Sequence, residues 1–480
     1  MQNSFLSYFV TPPRRGFYFS SHIMTTHEHR PEVVDTLIEA RWIAAVEPAG
    51  VILEQHALAI KDGRIVALLP QGEARRCFAA RQTFSLQQHV LIPGLINLHT
   101  HAAMSLLRGY ADDLPLMEWL QQHIWPAEAK FVTSGFVRDG ALLACAEMLR
   151  GGITCFNDMY FFPEATAEAA LRLGMRATLG ILSIDFPSAY ASDAEDYLSK
   201  GLALRDRLRE QTLISFSMAP HAPYSVSDRL FEQVVTLAAQ LDLPIHTHIH
   251  ETQNEIAESL RQYGVRPLER LRRLGLLTPS LIAVHAVHLE PGEIESLALH
   301  GCRVAHCPVS NLKLASGIAP VAQLVRAGVT VGLGSDGAAS NNRLDMFREM
   351  NLAALLAKGS TGDATAIDAH TALRMATLNG AVALGLEQEI GSLTVGKQAD
   401  ICAVRLDDLA VQPCHDPVAQ LVYAAGRECV SHVWVAGKMR VEDGSLVDEN
   451  VGEILDMANL WQNRLLGGIK DSGESRDVCV

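Results

Sequence analysis

Histidine and aspartate recur at one place in a repeated pattern of this sequence. His99 and His101 close the stretch Gly94-Leu95-Ile96-Asn97-Leu98-His99-Thr100-His101, and His221, His248, His285, His306 and Asp336 each stand at the end of a later short apolar run. Six of eight such runs end in this way, which histidines scattered through a core would not do. An H-x-H pair on a strand turns both imidazoles to one face, because side chains alternate, and two ligands at that spacing can share one ion. With His99 and His101, His248 and Asp336 complete an expected set of three imidazoles and one carboxylate for a divalent metal. Zinc suits such a set, which also accepts iron, manganese or nickel. The fifth run holds an ambiguity: His246, His248 and His250 alternate and so share a face. The place of His248 near the strand end, with Glu251 three residues on, favours His248.

The runs that must position these groups are Val90–Leu98, Ile153–Met159, Ala177–Ile184, Leu213–Ala219, Leu243–Ile249, Leu281–Val284, Cys302–Ala305 and Thr330–Leu333. Between them lie helix-like stretches such as Phe136–Arg150, Ala165–Leu173, Asp228–Leu241 and Ile318–Ala327. Strand and helix alternating eight times predict a (β/α)8 TIM barrel, whose catalytic groups belong at the C-terminal strand ends. Before the barrel, Trp42–Val46, Ala57–Ile60 and Arg64–Leu68 read as strands, with Lys61-Asp62-Gly63 as a hairpin turn. After it, Ala366–Leu384 reads as helix, Gly391–Gly396 as a turn-rich ribbon, and Ala399–Val404 and His432–Val435 as strands. Neither β segment makes a good sheet alone, so both ends of the chain are expected to build one small β-sandwich. The expected organisation is a disordered extension over 1–32, the first part of the sandwich over 33–90, the barrel over 91–388, the second part over 389–450, and a C-terminal helix and tail over 451–480. Residues 1–23 carry Arg14 and Arg15 but lack a compact apolar stretch with a cleavage site, so they read as an extension preceding Met24 as the initiator.

The bulk numbers exclude several classes. The 480 residues are 48% hydrophobic and 20% charged, which fits a soluble globular protein, and the net charge of -14 argues against nucleic acid as a partner. The nine cysteines are scattered and form no C-x-x-C pair, which argues against a disulfide framework and for the cytoplasm. No run is long and apolar enough to span a bilayer.

Pro93-Gly94-Leu95-Ile96-Asn97-Leu98-His99-Thr100-His101, His248 with Glu251, His285, Ser335-Asp336 and the stretch from Gly391-Ser392-Leu393 to Gly396-Lys397-Gln398-Ala399-Asp400 resemble the amidohydrolase superfamily over nearly the whole chain from about residue 33. Narrower stretches are similar to the 5-methylthioadenosine/S-adenosylhomocysteine deaminases: Leu106-Leu107-Arg108-Gly109, Asp112-Asp113-Leu114, Glu118-Trp119-Leu120, Pro220-His221-Ala222-Pro223-Tyr224, Ser310-Asn311-Leu312-Lys313-Leu314 and Asp336-Gly337-Ala338-Ala339-Ser340-Asn341-Asn342. The resemblance implies hydrolytic deamination of an adenosine-type nucleoside at C6, with a homo-oligomeric enzyme as the family expectation. Binuclear members bridge two ions with a lysine on the fourth strand; the fourth run here has none, so one metal per chain is expected.

In that chemistry Glu251 is assigned to proton transfer at ring nitrogen N1, Asp336 to accepting a proton from water, and His285 to holding the attacking hydroxide. The resemblance gives Glu128 the ribose hydroxyls, His221 a second nucleoside contact and Trp119 an apolar wall. His306 is expected to pack beneath the site, and His288 to be structural. Ile181 falls where some relatives place an arginine for the amino-acid tail of S-adenosylhomocysteine, so 5'-methylthioadenosine is the expected first substrate, with S-adenosylhomocysteine and adenosine as further ones. The rivals are another amino- or chloro-heterocycle, such as a triazine or guanine, and a non-catalytic scaffold.

Overall fold

The computed structural model describes residues 30–471. The expectations for residues 1–23, for Met24 and for Cys479 lie outside the described residues. Eight parallel strands lie side by side in sequence order: Leu95–Thr100, Ile153–Asp158, Arg176–Ser183, Ile214–Pro220, Ile245–Ile249, Leu281–His285, Arg303–His306 and Thr330–Leu333. They form the nearly closed sheet of a (β/α)8 barrel. Parallel neighbours need a crossover, and polar caps start several of the helices that provide it. Thr133, Asp193, Ser227 and Thr252 each accept a backbone N–H with the side chain at the start of a helix. The expected helix over Ile318–Ala327 is confined to Val321–Arg326, because Pro320 has no N–H and disfavours helical backbone before it.

The first and eighth strands do not exchange ladder bonds; side chains and strand ends close the seam instead. Asn97 donates to Ser335 Oγ at 2.7 Å and accepts from its amide at 2.9 Å. The Asp336 amide donates to the His99 carbonyl at 3.0 Å, and the Thr100 hydroxyl to the Asp336 carbonyl at 3.0 Å. Glycine permits this approach: a Cβ on Gly334 would stand 2.8 Å from His99 Cβ and 2.9 Å from its backbone nitrogen.

A second sheet of eight strands joins the two ends of the chain. Its pivot is the long strand Phe78–Pro93, parallel to Glu32–Ala44 on one side and antiparallel to Ile401–Arg405 on the other. This continuous sheet folds over a core shared by both ends, with Ile38, Leu58 and Leu91 packed with Ile401 and Trp434. The hairpin turn at Asp62 and Gly63 has positive φ at both residues, 50° and 77°, as a two-residue hairpin of this twist requires. The Gly391–Gly396 stretch forms turns, pinned by the Leu393 amide on the Ala45 carbonyl and the Gly396 amide on that of Ile65.

The run Val90–Leu98 is divided between the two sheets. Val90–Pro93 ends the sandwich strand, and the barrel begins at Leu95. The break falls at Pro93-Gly94, and a Cβ on Gly94 would lie 2.1 Å from Thr154 Oγ1. Beyond the first barrel strand a short 3-10 turn, Ala102–Leu107, leads to Leu116–Glu118, a π-helical turn Trp119–Ile124 and the helix Trp125–Phe131. Side chains of these last three elements line the cavity at the C-terminal mouth of the barrel. The C-terminal helix Val451–Asp471 packs on the next helix, Ser134–Arg150, Trp461 meeting Phe136 edge to face and donating to Asp139 at 2.9 Å.

Candidate metal centre

The barrel brings His99, His101, His248, His285 and Asp336 together. His99 Nε2 and His101 Nε2 stand 3.2 and 3.3 Å from Asp336 Oδ1, and His248 Nε2 stands 3.3 Å from His99 Nε2. Ligand atoms of His99, His101 and His248 lie within 4.8 Å of one another, as do those of His99, His285 and Asp336. The outer nitrogens show which way the rings are protonated. His101 Nδ1 is 2.5 Å from the Met159 carbonyl and His248 Nδ1 is 2.7 Å from that of His221. A carbonyl oxygen accepts and cannot donate, so each Nδ1 carries a hydrogen and Nε2 is the nitrogen turned inward. Burial disfavours a second proton on His248. His101 Nε2 thus stands 3.3 Å from Asp336 Oδ1 and His248 Nε2 3.3 Å from His99 Nε2, a set of donor atoms that could close on a cation. Imidazole nitrogen and carboxylate oxygen are zinc-type donors, and the bonds to the outer nitrogens are the usual support of such ligands.

Asp336 is held from three sides. Ser310 and Ser340 donate to Oδ2 at 2.6 and 2.8 Å, and the Gly337 amide to Oδ1 at 2.8 Å. Its φ of 59° and that of His285, 69°, are left-handed, an uncommon conformation for side chains other than glycine. Both residues thus leave their strands at sharp turns.

The cluster forms part of the wall of a cavity of about 630 Å³. Glu251, His221, Tyr224 and Glu128 also line it, as do Trp119, Leu182, Ile184 and Phe186. Among the described residues no lysine or arginine does so. Burial pushes the Glu251 carboxyl above the usual range, and Oε2 lies 3.9 Å from His285 Nε2. Asn311 Oδ1 accepts from His285 Nδ1 at 2.8 Å. Burial acts to lower the His285 pKa, but the facing Glu251 and Asp336 carboxylates outweigh it and raise the value. Glu128 is pushed up to about 7 by burial, against the Tyr160 hydroxyl that donates to Oε1 at 2.6 Å.

The amidohydrolase family model matches residues 90–440, a span that holds the barrel and every residue of this cluster. The chain belongs to the amidohydrolase family. Within this family it is 49% identical over 432 residues to a protein of Teredinibacter turnerae named 5-methylthioadenosine/S-adenosylhomocysteine deaminase, covering 90% of this chain and 98% of that one. A protein of the same name from Saccharophagus degradans is 46% identical, with 90% and 97% covered. The crystal structure of an adenosine deaminase from Xanthomonas campestris with bound zinc superposes with a TM-score of 0.90 at 52% identity, covering 91% of this chain and all of that one. Atrazine chlorohydrolase from Arthrobacter aurescens, complexed with zinc, gives 0.84 at 26% identity, with 89% and 99% covered.

In this amidohydrolase the three histidines of the fifth strand part company. His246 Nε2 lies 2.9 Å from His99 Nδ1, behind the cluster. His250 lies beyond the strand end with φ 55°, and its Nε2 accepts the Leu268 amide at 3.1 Å. It therefore does not share the face of His248, as strict alternation had implied. Ile181 is also placed differently from the expectation: its side chain packs toward Gly201 on the outer helix Ala194–Leu208 and does not line the cavity. Leu182, Ile184 and Phe186 supply that wall. His306 is buried with its pKa lowered to about 3 by burial, and His288 lies outside the cavity, within 2.8 Å of Gln253 Nε2. The supporting residues Tyr160, Asn311, Ser310, Ser340 and Glu255 were not given roles from the sequence. Each lies within ten residues of a strand end, and only their partners reveal what they do.

Proposed function

We propose that this amidohydrolase removes the 6-amino group of an adenosine-type nucleoside by hydrolysis, with 5'-methylthioadenosine as first substrate and S-adenosylhomocysteine and adenosine as further ones. The observation that carries the reading is Glu128: a buried carboxyl, braced by Tyr160, facing the same cavity as the His/Asp cluster. A carboxylate offers two oxygens to the two O–H donors of a cis-diol, a match that a triazine or a free base does not use. The apolar wall of Leu182, Ile184 and Phe186 suits a methylthio group better than a zwitterionic tail. The names of the relatives agree with this substrate class.

His99, His101, His248 and Asp336 would hold one divalent ion, zinc foremost. Such an ion, when bound, supplies a nucleophile from water at neutral pH by lowering its pKa from about 15.7 to about 7. The chain's own residues do the rest. Glu251, whose burial favours the protonated carboxyl, donates to N1 as C6 becomes tetrahedral. Asp336 takes the proton of the attacking water and passes it to the 6-amino group, which leaves as ammonia as the C6–N bond breaks, the C6 hydroxyl proton returning to Glu251; His285, fixed by Asn311, holds the incoming oxygen. His221 and Trp119 complete the nucleoside contacts. The cytoplasm belongs to the same reading, supported by described cysteines that are all free; among the described residues no helix is long and apolar enough to cross a membrane. A homo-oligomer belongs to it as well, and sedimentation velocity tests it.

The test is ammonia release from 5'-methylthioadenosine, S-adenosylhomocysteine, adenosine, guanine and melamine. The expected order has 5'-methylthioadenosine first. Equal or better kcat/KM on S-adenosylhomocysteine overturns the preference, and turnover of melamine or guanine alone overturns the substrate class.

A further inference from the structure

The turn that delivers Glu251 is built around a second carboxylate, Glu255. Glu255 is buried, and its two oxygens accept two successive backbone amides: that of His250 at 2.9 Å and that of Glu251 at 2.8 Å. It is the third residue of the helix Gln253–Tyr263, whose cap Thr252 accepts the Glu255 amide at 3.3 Å. In a common capping box the acidic residue at this position reaches back to the amide of the cap itself. Here it reaches further, to the two residues before the cap. One of them, His250, has φ 55°, a left-handed conformation that side chains other than glycine adopt at a cost. Two N–H groups aimed at one carboxylate offset that cost. The turn has two results. It removes His250 from the strand line of His246 and His248, and it leaves Glu251 facing the cavity, 3.9 Å from His285.

We infer that Glu255 is a positioning residue, clamping the His250–Glu251 turn so that the Glu251 carboxyl is aimed at the reacting ring. The inference rests on the reading of Glu251 as the proton donor. It makes the spacing Glu251-Thr252-Gln253-Asn254-Glu255 a unit in which the second acid works through the first.

The experiment compares Glu255→Gln, Glu255→Asp and Glu251→Gln on 5'-methylthioadenosine, with bound metal measured on each. Glutamine has one oxygen, and its NH2 would face an N–H; aspartate is a methylene too short to span both amides. Each Glu255 variant is expected to lower kcat by about 30-fold, with KM and metal content within about twofold, since only an interaction made in the transition state is disturbed. If glutamine prevents folding, the aspartate variant decides. Adding His250→Asn to Glu255→Gln should recover about fivefold or more, because asparagine tolerates the left-handed conformation without the clamp. A kcat within about threefold of wild type in both Glu255 variants, or no recovery with His250→Asn, overturns the inference. Retained activity in Glu251→Gln instead overturns the role of Glu251, and is read independently of either Glu255 variant.

Discussion

At the scale of single residues the site divides into groups that face the cavity and groups that hold them. The division yields two predictions. His248→Ala should purify with little metal, whereas His250→Ala should keep it, because His250 bonds the Leu268 amide and lies away from the cluster; elemental analysis decides. Tyr160→Phe removes a hydrogen bond to a buried carboxyl, worth about 1.5–3 kcal/mol when that group is charged. It should raise KM for nucleosides about tenfold or more and leave bound metal unchanged, as steady-state kinetics beside elemental analysis will show. The facing residues were legible in the sequence because strand ends concentrate chemistry in a barrel and the types His, Asp and Glu are distinctive. The holding residues were not. Tyr160, Asn311 and Ser340 are ordinary in type, and their roles depend on hydrogen bonds between segments far apart in the chain. The choice among His246, His248 and His250 needed the backbone angle at His250, which alternation does not supply.

At the scale of elements, the approach of Asp336 to His99 and His101, the proposed metal ligands, depends on how near the eighth strand comes to the first. Gly334→Ala should part them, since the added Cβ would meet the backbone of His99. Overpacking of this kind costs about 1–3 kcal/mol. The expected outcome is a lower melting temperature together with reduced metal occupancy, measured by calorimetry and elemental analysis; normal occupancy would separate the seam from the site. The strands were readable because each buried run is apolar and punctuated, and the runs at Ile153, Leu281 and Thr330 start where the strands do. The division of Val90–Leu98 was not, because a strand that passes from one sheet to another remains apolar throughout. The elements over the cavity mouth were also missed: Leu116–Phe131 contains a π-helical turn, which has no period of its own in a short sequence.

At the scale of the whole molecule, a buried ion pair and a buried carboxyl bear on stability. Arg176 pairs with Asp400 at 3.1 Å, tying the third barrel strand to the start of the second β segment. Arg176→Met should destabilise by about 3–5 kcal/mol, because it leaves a buried carboxylate unpaired, and calorimetry will read it as a lower melting temperature. Glu349, buried beside Asn341 and the Val309 amide, is pushed up to about 8 by burial from an ordinary 4.5. A carboxyl whose value is raised on folding supplies stability that is full below about 4.5 and is lost as pH rises through about 8. The melting temperature of the wild type relative to Glu349→Gln should therefore fall as pH is raised from about 5 to about 9, and a flat difference would contradict it. That both ends of the chain share one small sheet was legible because neither β segment suffices alone; its single continuous pairing was not, since register between distant strands leaves no local mark. This pairing also sets an order of events during synthesis. The strand Phe78–Pro93 receives Ile401–Arg405 along its outer side, Pro93 opposite Ile401. A ribosome adding about 5–20 residues per second leaves that side of the nascent strand bare for some tens of seconds. An uncovered strand edge invites pairing with other chains, so the newborn protein is most exposed to aggregation while its catalytic half is being made, and the last strands to emerge are the ones that end the exposure.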